Sequence, residues 1–137
     1  MGITYRYNAV DNIVETVGKG TLTFNEIVTY LHAVIQDKTI KPGFIELLNL
    51  EAIDNFIVEY RQLRPFIVLW QQYLEKGSFG TIIYAPNDVS YGICRMVQTF
   101  IDTSPGNQTE DFFVVRTKQE RDKELRQLQE RNANSDK

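Results

Sequence analysis

A single cysteine, Cys94, and a single histidine, His32, are all the chain offers of the two side chains that most often carry nucleophilic and metal chemistry. One cysteine cannot close an internal disulfide or build a multi-cysteine metal site, and one imidazole cannot make a paired-histidine ligand set. A surplus of either charge is also missing: 15 Lys and Arg stand against 18 Asp and Glu, for a net charge of −3. That balance gives no field to gather nucleic acid, and no basic run is interleaved with aromatics, so nucleic-acid binding is not expected. No window approaches the ~18 consecutive apolar residues of a membrane span. "MGITYRYNAV" lacks the charged, apolar and cleavage segments of a signal peptide. A soluble, cytoplasmic protein without a transmembrane segment is expected. Gly18-Lys19-Gly20 is only a fragment of a phosphate loop, because a third glycine is absent and Thr21-Leu22-Thr23 stand before any helix. It is expected to be a turn at a strand end. These absences exclude an enzyme built on a nucleophile, a metal or a nucleotide cofactor, and no cofactor is expected.

What is present suffices for a core. The 137 residues are 42% hydrophobic and 24% charged, a composition suited to one domain. That domain is expected over residues 1–131, with 132–137, "NANSDK", a disordered tail. "ITYRYNAV" alternates with strand periodicity, Asp11-Asn12 suits a tight turn, and "IVETV" returns as the second strand of a hairpin. "TLTFNEIVTYLHAVIQD" changes to helical period: Phe24, Ile27, Val28, Leu31, Val34 and Ile35 share a stripe, and Thr23 with Glu26 makes a capping box. "FIELLNL" and "TIIYA" read as strands buried on both faces. Between them a long helix is expected over 55–75, and a third helix runs from about Val89 to Asp102, stopped by Ser104-Pro105-Gly106. "DFFVVR" is the last strand, and Thr117 with Glu120 caps a final helix whose mixed charges suit a solvated face. The order β-β-α-β-α-β-α-β-α predicts an α/β fold, with a mixed, mostly parallel five-stranded sheet, an N-terminal hairpin and four helices.

Several stretches carry a family likeness: the tyrosine-bearing first strand, "GTLTFNEI", "DKTIKPGF", and "APNDVSYGICRM" with Tyr91, Gly92, Arg95 and Met96 at its centre. Together with the element order, these make the chain resemble the STAS-like domains, and in particular the small stand-alone bacterial SpoIIAA-like group. The resemblance implies the fold, and a non-enzymatic interaction or regulatory module. In anti-sigma-factor antagonists of this kind, the loop after the third strand presents a phosphorylatable Ser or Thr. Here "NLEAIDNFIVEY" has no hydroxyl of that type from Asn49 to Tyr60, so a kinase-driven switch has no group to carry it at this position.

The second helix holds more apolar residues than one buried stripe needs. Phe56, Tyr60, Leu63, Ile67, Trp70 and Leu74 complete a stripe, Ile57 and Val68 fall on a flank, and Val58 and Leu69 fall near the back. A neighbouring helix, a homodimer or other protein contact, a groove for an apolar ligand, or a membrane surface would each cover the excess. The interaction module, as a homodimer, is the reading the sequence favours. The alternative is a carrier or sensor of a small apolar molecule or lipid, by architectural likeness to the CRAL-TRIO type, with the second and third helices as a cover. Trp70, Tyr73, Met96 and Phe100 would then line the groove, and Pro65 would supply a bend in the cover. On the third helix, Tyr91 and Arg95 stand four apart and predict either a stacked clasp or a weak anion site at the helix start. Asp88 is placed to cap that start. Cys94 reads as a packed thiol and His32 as a solvated surface residue.

Overall fold

The computed structural model describes residues 2–104 and 111–135. Five strands, β1 (Ile3–Asn8), β2 (Ile13–Thr23), β3 (Ile45–Ile57), β4 (Gly80–Tyr84) and β5 (Phe112–Val115), form one sheet in the order β1-β2-β3-β4-β5. β1 and β2 are antiparallel, and every later neighbour is parallel. The helices are α1 (Phe24–Gln36), α2 (Leu63–Lys76), α3 (Asp88–Asp102) and α4 (Lys118–Ser135). Because the strand order never reverses, successive right-handed crossovers place α1, α2 and α3 on the same face of the sheet. The main core bears this out, joining Leu31, Trp70 and Cys94 of those helices to Val14, Leu48, Ile83 and Phe112 of the strands. α4 packs on the opposite face, where Leu128 and Leu125 meet Ile13, Ile45, Ile82, Tyr84 and Val115. Strict alternation along β3 and β4 follows: Glu46, Leu48, Thr81 and Ile83 belong to one side and Ile45, Leu47 and Ile82 to the other.

The α/β class, the mixed five-stranded sheet and the four helices are those the sequence predicts, but several boundaries differ for local physical reasons. The expected strand through Val10 stops at Asn8, whose side-chain oxygen accepts from the backbone N–H groups of Val10 (3.1 Å) and Asp11 (3.2 Å), and Asn12 takes the positive φ of 55°. Gly18-Lys19-Gly20 is not a strand-end turn. It lies inside the long β2, where the register shifts around these residues and Gly20 adopts φ 67°, the signature of a bulge. β2 then continues to Thr23, which caps α1 in the expected capping box.

The largest difference concerns the expected helix over 55–75. Residues 55–57 are strand, because Asn55, Phe56 and Ile57 pair with Thr21, Leu22 and Thr23 of the extended β2. A 3-10 turn over Tyr60–Gln62 follows, and α2 begins only at Leu63. Pro65 therefore stands in the first turn of α2, where its missing N–H has no intrahelical partner to lose. It starts the helix and makes no mid-helix bend. With the true start, the buried stripe is Leu63, Phe66, Leu69, Trp70 and Tyr73.

α2 ends at Gly77 with φ 112°, and a Cβ built there would stand 2.8 Å from Cα of Pro42. Gly77→Ala combines left-handed strain with that clash and is expected to cost about 1–3 kcal/mol, measured by urea unfolding. The last helix continues through Ser135, past the end expected near Arg131. Arg131 pairs with Asp111 at 2.7 Å, and Asn132 donates to the carbonyl of Gly43 at 2.8 Å, which ties this end to the sheet. Residues 136–137, and the Pro105-Gly106 part of the expected stop after the third helix, lie outside the described residues. No helix among the described residues is long and apolar enough to cross a membrane.

Candidate functional site

Among the described residues, the face covered by three helices holds one buried carboxyl. Glu46 in β3 is 3% exposed and has Thr81 of β4 directly beside it in the parallel register. The Thr81 hydroxyl donates to Oε1 of Glu46 at 3.0 Å, and the Tyr30 hydroxyl, descending from α1, donates to Oε2 in a very short hydrogen bond. Tyr30 in turn meets the Thr16 hydroxyl of β2 at 2.7 Å. A chain of hydroxyls thus runs from β2 through α1 to β3 and β4. Tyr73 of α2 is fully buried facing the same carboxyl, yet its hydroxyl closes no hydrogen bond among the described residues.

Charge is scarce around Glu46. None of the ion pairs among the described residues includes it. Burial is the main influence on its acidity and pushes the carboxyl above its ordinary value of 4.5, against the opposing pull of the Tyr30 and Thr81 hydroxyls. Burial first, and then the nearby carboxylate, likewise holds both phenols well above their ordinary range, so they remain donors.

Against this carboxyl lies an apolar pocket of about 70 Å³. Its walls come from α1 (Phe24, Ile27, Tyr30, Leu31), β3 (Leu48, Phe56), α2 (Phe66, Trp70), α3 (Cys94, Val97) and the strands carrying Thr81, Ile83 and Phe112. Val58, just after β3, completes them. Most of these residues are buried, and Ile27, Val58 and Val97 are half-buried. Behind Trp70, Thr81 and Phe112 a second cleft of about 150 Å³ runs past Ser78, Gly80 and Asp111. Trp70 lines both, and its indole Nε1 has no hydrogen-bond partner among the described residues.

The residues expected to form one apolar surface are divided. Leu69, expected at the back of the helix, is only 6% exposed, and Trp70 and Tyr73 also lie in the core. Val58 is half-buried at the pocket, whereas Ile57 (48%), Val68 (59%) and Met96 (42%) are exposed. Phe100 is half-buried and meets the exposed Tyr60 edge-on at 6.4 Å between centroids. The Tyr91–Arg95 clasp does not form. Arg95 donates to the Gln98 side chain at 2.7 Å, and the guanidinium over the Tyr91 ring, 4.8 Å from its centroid, belongs to Arg116. The same Arg116 pairs with Asp88 at 2.5 Å, at the helix start where the sequence predicts a weak anion site as the alternative to the clasp. Asn87, and not Asp88, caps α3 through a 2.8 Å bond from the Ser90 N–H. His32 is exposed, as expected.

Cys94 is a wall of the pocket and not a reagent. Burial alone raises its thiol pKa to about 12, leaving almost no thiolate near neutrality. A disulfide-exchange reagent is expected to label it in the folded protein at least ~100-fold more slowly than in urea, because the pKa difference alone suppresses the thiolate by more than that.

Sequence reasoning passed over Glu46, Tyr30, Thr16 and Thr81, and also Phe24, Phe56 and Phe112 as pocket walls. A usable signal existed for Glu46: it is the one charged residue inside "FIELLNL", a run read as buried on both faces, where an ionisable group is out of place.

No family model matches the chain, and no curated protein matches it. Among solved structures, the chain is similar to an uncharacterised protein of the DUF3478 family with a SpoIIAA-like fold from Shewanella loihica PV-4. Sequence identity is 17%, the TM-score is 0.53, and the match covers 93% of this chain and 94% of that one. That likeness over nearly the whole of both chains, together with the mixed five-stranded sheet, shows that the chain has a SpoIIAA-like fold.

Proposed function

We propose that this protein is a non-enzymatic binding module for a small molecule with an apolar body, held between α1, α3 and the sheet. The observation that carries this reading is the apolar pocket lying beside a buried carboxyl whose hydrogen-bond partners are hydroxyls. Close-packed interiors rarely keep such space, and a pocket with few, convergent polar groups is the usual form of a ligand site. At about 70 Å³ the space is roughly half that of a ~150 Å³ cavity able to take benzene, so it suits the end of an alkyl chain more than a fused ring system. Titration with n-pentanol, following Trp70 emission and melting temperature, tests the reading. Saturable quenching together with a rise in melting temperature supports it, and the absence of both removes it.

A second reading, contact with a protein partner or a second copy of the chain, is favoured by the exposure of Ile57, Tyr60, Val68, Val89 and Met96. Burial of Leu69, Trp70 and Tyr73 takes the strongest anchors away from that surface. Sedimentation of wild type beside Val68→Asp discriminates: a dimer that the substitution dissociates supports this reading, and a concentration-independent monomer opposes it.

A further inference from the structure

We propose that the ligand of this pocket is a small hydrophobic amine, with its ammonium group set against Glu46 and its carbon skeleton among the aromatic walls. The proposal rests on the pocket reading above and names the chemistry of the head group. Three features of the site converge on it.

The first is the unmatched carboxyl. Glu46 is buried, lines the pocket, and has no cationic partner among the described residues. A buried carboxylate without a counter-charge is expensive to hold, and an ammonium brought by the ligand would compensate it. A carboxylate ligand would bring a second acid beside the first with nothing to separate them. An alcohol would find a hydrogen-bond acceptor but would leave the charge uncompensated.

The second feature is unused bonding capacity. An ionised carboxylate offers about four acceptor positions. Tyr30 and Thr81 take one on each oxygen of Glu46, so the carboxylate retains room for further donors. An ammonium is a donor with no acceptor, which suits a group already flanked by hydroxyls that donate.

The third feature is the wall. Phe24, Tyr30, Phe56, Phe66, Trp70 and Phe112 all line the same pocket. Aromatic rings present a negative face that attracts cations, most strongly where water is excluded, and they also shelter the carbon skeleton. Carboxylate and rings together distinguish this site from a purely apolar cavity, which would favour the neutral hydrocarbon.

The test compares n-pentylamine, n-pentanol and pentanoate, which share a skeleton and differ in head group, by calorimetry and by Trp70 emission at neutral pH. The expected order is pentylamine first, at least about tenfold tighter than pentanol, with pentanoate weakest, since a charge-assisted bond is worth roughly that ratio. Glu46→Gln is expected to remove the amine's advantage while leaving pentanol binding within about threefold, because Gln keeps the shape but not the charge. If pentanol binds as well as pentylamine or better in the wild type, the amine assignment is overturned while the apolar pocket stands. Binding by none of the three overturns both. The wild-type series decides the matter even if Glu46→Gln fails to fold.

Discussion

Trp70→Ala is expected to lower the unfolding free energy by about 3–5 kcal/mol, the range for deleting a large buried aromatic. The indole is 4% exposed and lies at the centre of an aromatic group, with ring centroids 6.1 Å from Phe66, 5.3 Å from Tyr73 and 5.4 Å from Phe112. It also stands between the apolar pocket and the more polar cleft behind it, so its loss would merge the two and leave contacts unmade on both sides. Since a domain of this size is stable by only about 5–15 kcal/mol, the variant should sit near the limit of folding. Trp70 is the sole tryptophan, so the measurement is urea unfolding followed by circular dichroism. Val68→Ala, two residues earlier on the exposed side of α2, serves as the control and should stay within about 0.5 kcal/mol. A loss below about 1 kcal/mol at Trp70 would contradict the packing described.

The second large effect is a fall in stability with rising pH that Glu46→Gln abolishes. The Glu46 carboxyl has a native pKa raised above its ordinary 4.5, chiefly by burial, so the folded chain holds this proton more tightly than the unfolded chain. Its contribution is therefore fully present below the ordinary value and is lost as pH rises through the raised native value. A single proton gives a slope of at most about 1.4 kcal/mol per pH unit in that window. Asp37 acts with the opposite sign. The Thr39 hydroxyl, and next the Tyr5 hydroxyl, hold it below its ordinary range, so its contribution is present above that range and fades in acid. Subtracting the Glu46→Gln curve from that of the wild type removes Asp37 and every other shared group. The difference should leave the variant relatively more stable as pH rises above the ordinary carboxyl value of 4.5. A flat difference, or a wild type that gains on the variant as pH rises, would sink the account of this carboxyl.

The topology was legible because its carriers are local: the Thr23 and Glu26 capping box, the alternation of "ITYRYN", and the apolar runs of β3 and β4 can each be read without a partner. What escaped depends on partners distant in the chain. Nothing near Asn55 says strand; Asn55, Phe56 and Ile57 become strand because β2 extends through a bulge at Gly20 to meet them. Once α2 starts at Leu63, Phe56 and Tyr60 no longer define its buried side, and Leu69, read as the back, belongs to the core. Arg116 reaches Tyr91 and Asp88 from after the last strand, 25 and 28 positions along, and spacing along one helix could not reveal it. The buried cluster is the same kind of case. Thr16, Tyr30, Glu46 and Thr81 stand on four different elements, and only the parallel register of β3 with β4 sets Glu46 beside Thr81. The anomaly of one carboxyl inside an apolar strand was nevertheless visible in the sequence, and it marked the position around which the site is built.

The central claim is that the helical face of the sheet keeps an accessible apolar space against Glu46. Crystals of the protein pressurised with xenon test it most directly, because xenon enters apolar cavities and needs no head-group chemistry. The account predicts a xenon peak between α1, α3 and the sheet, in contact with Phe24, Phe56 and Phe112. A filled, xenon-free interior at those residues would contradict it.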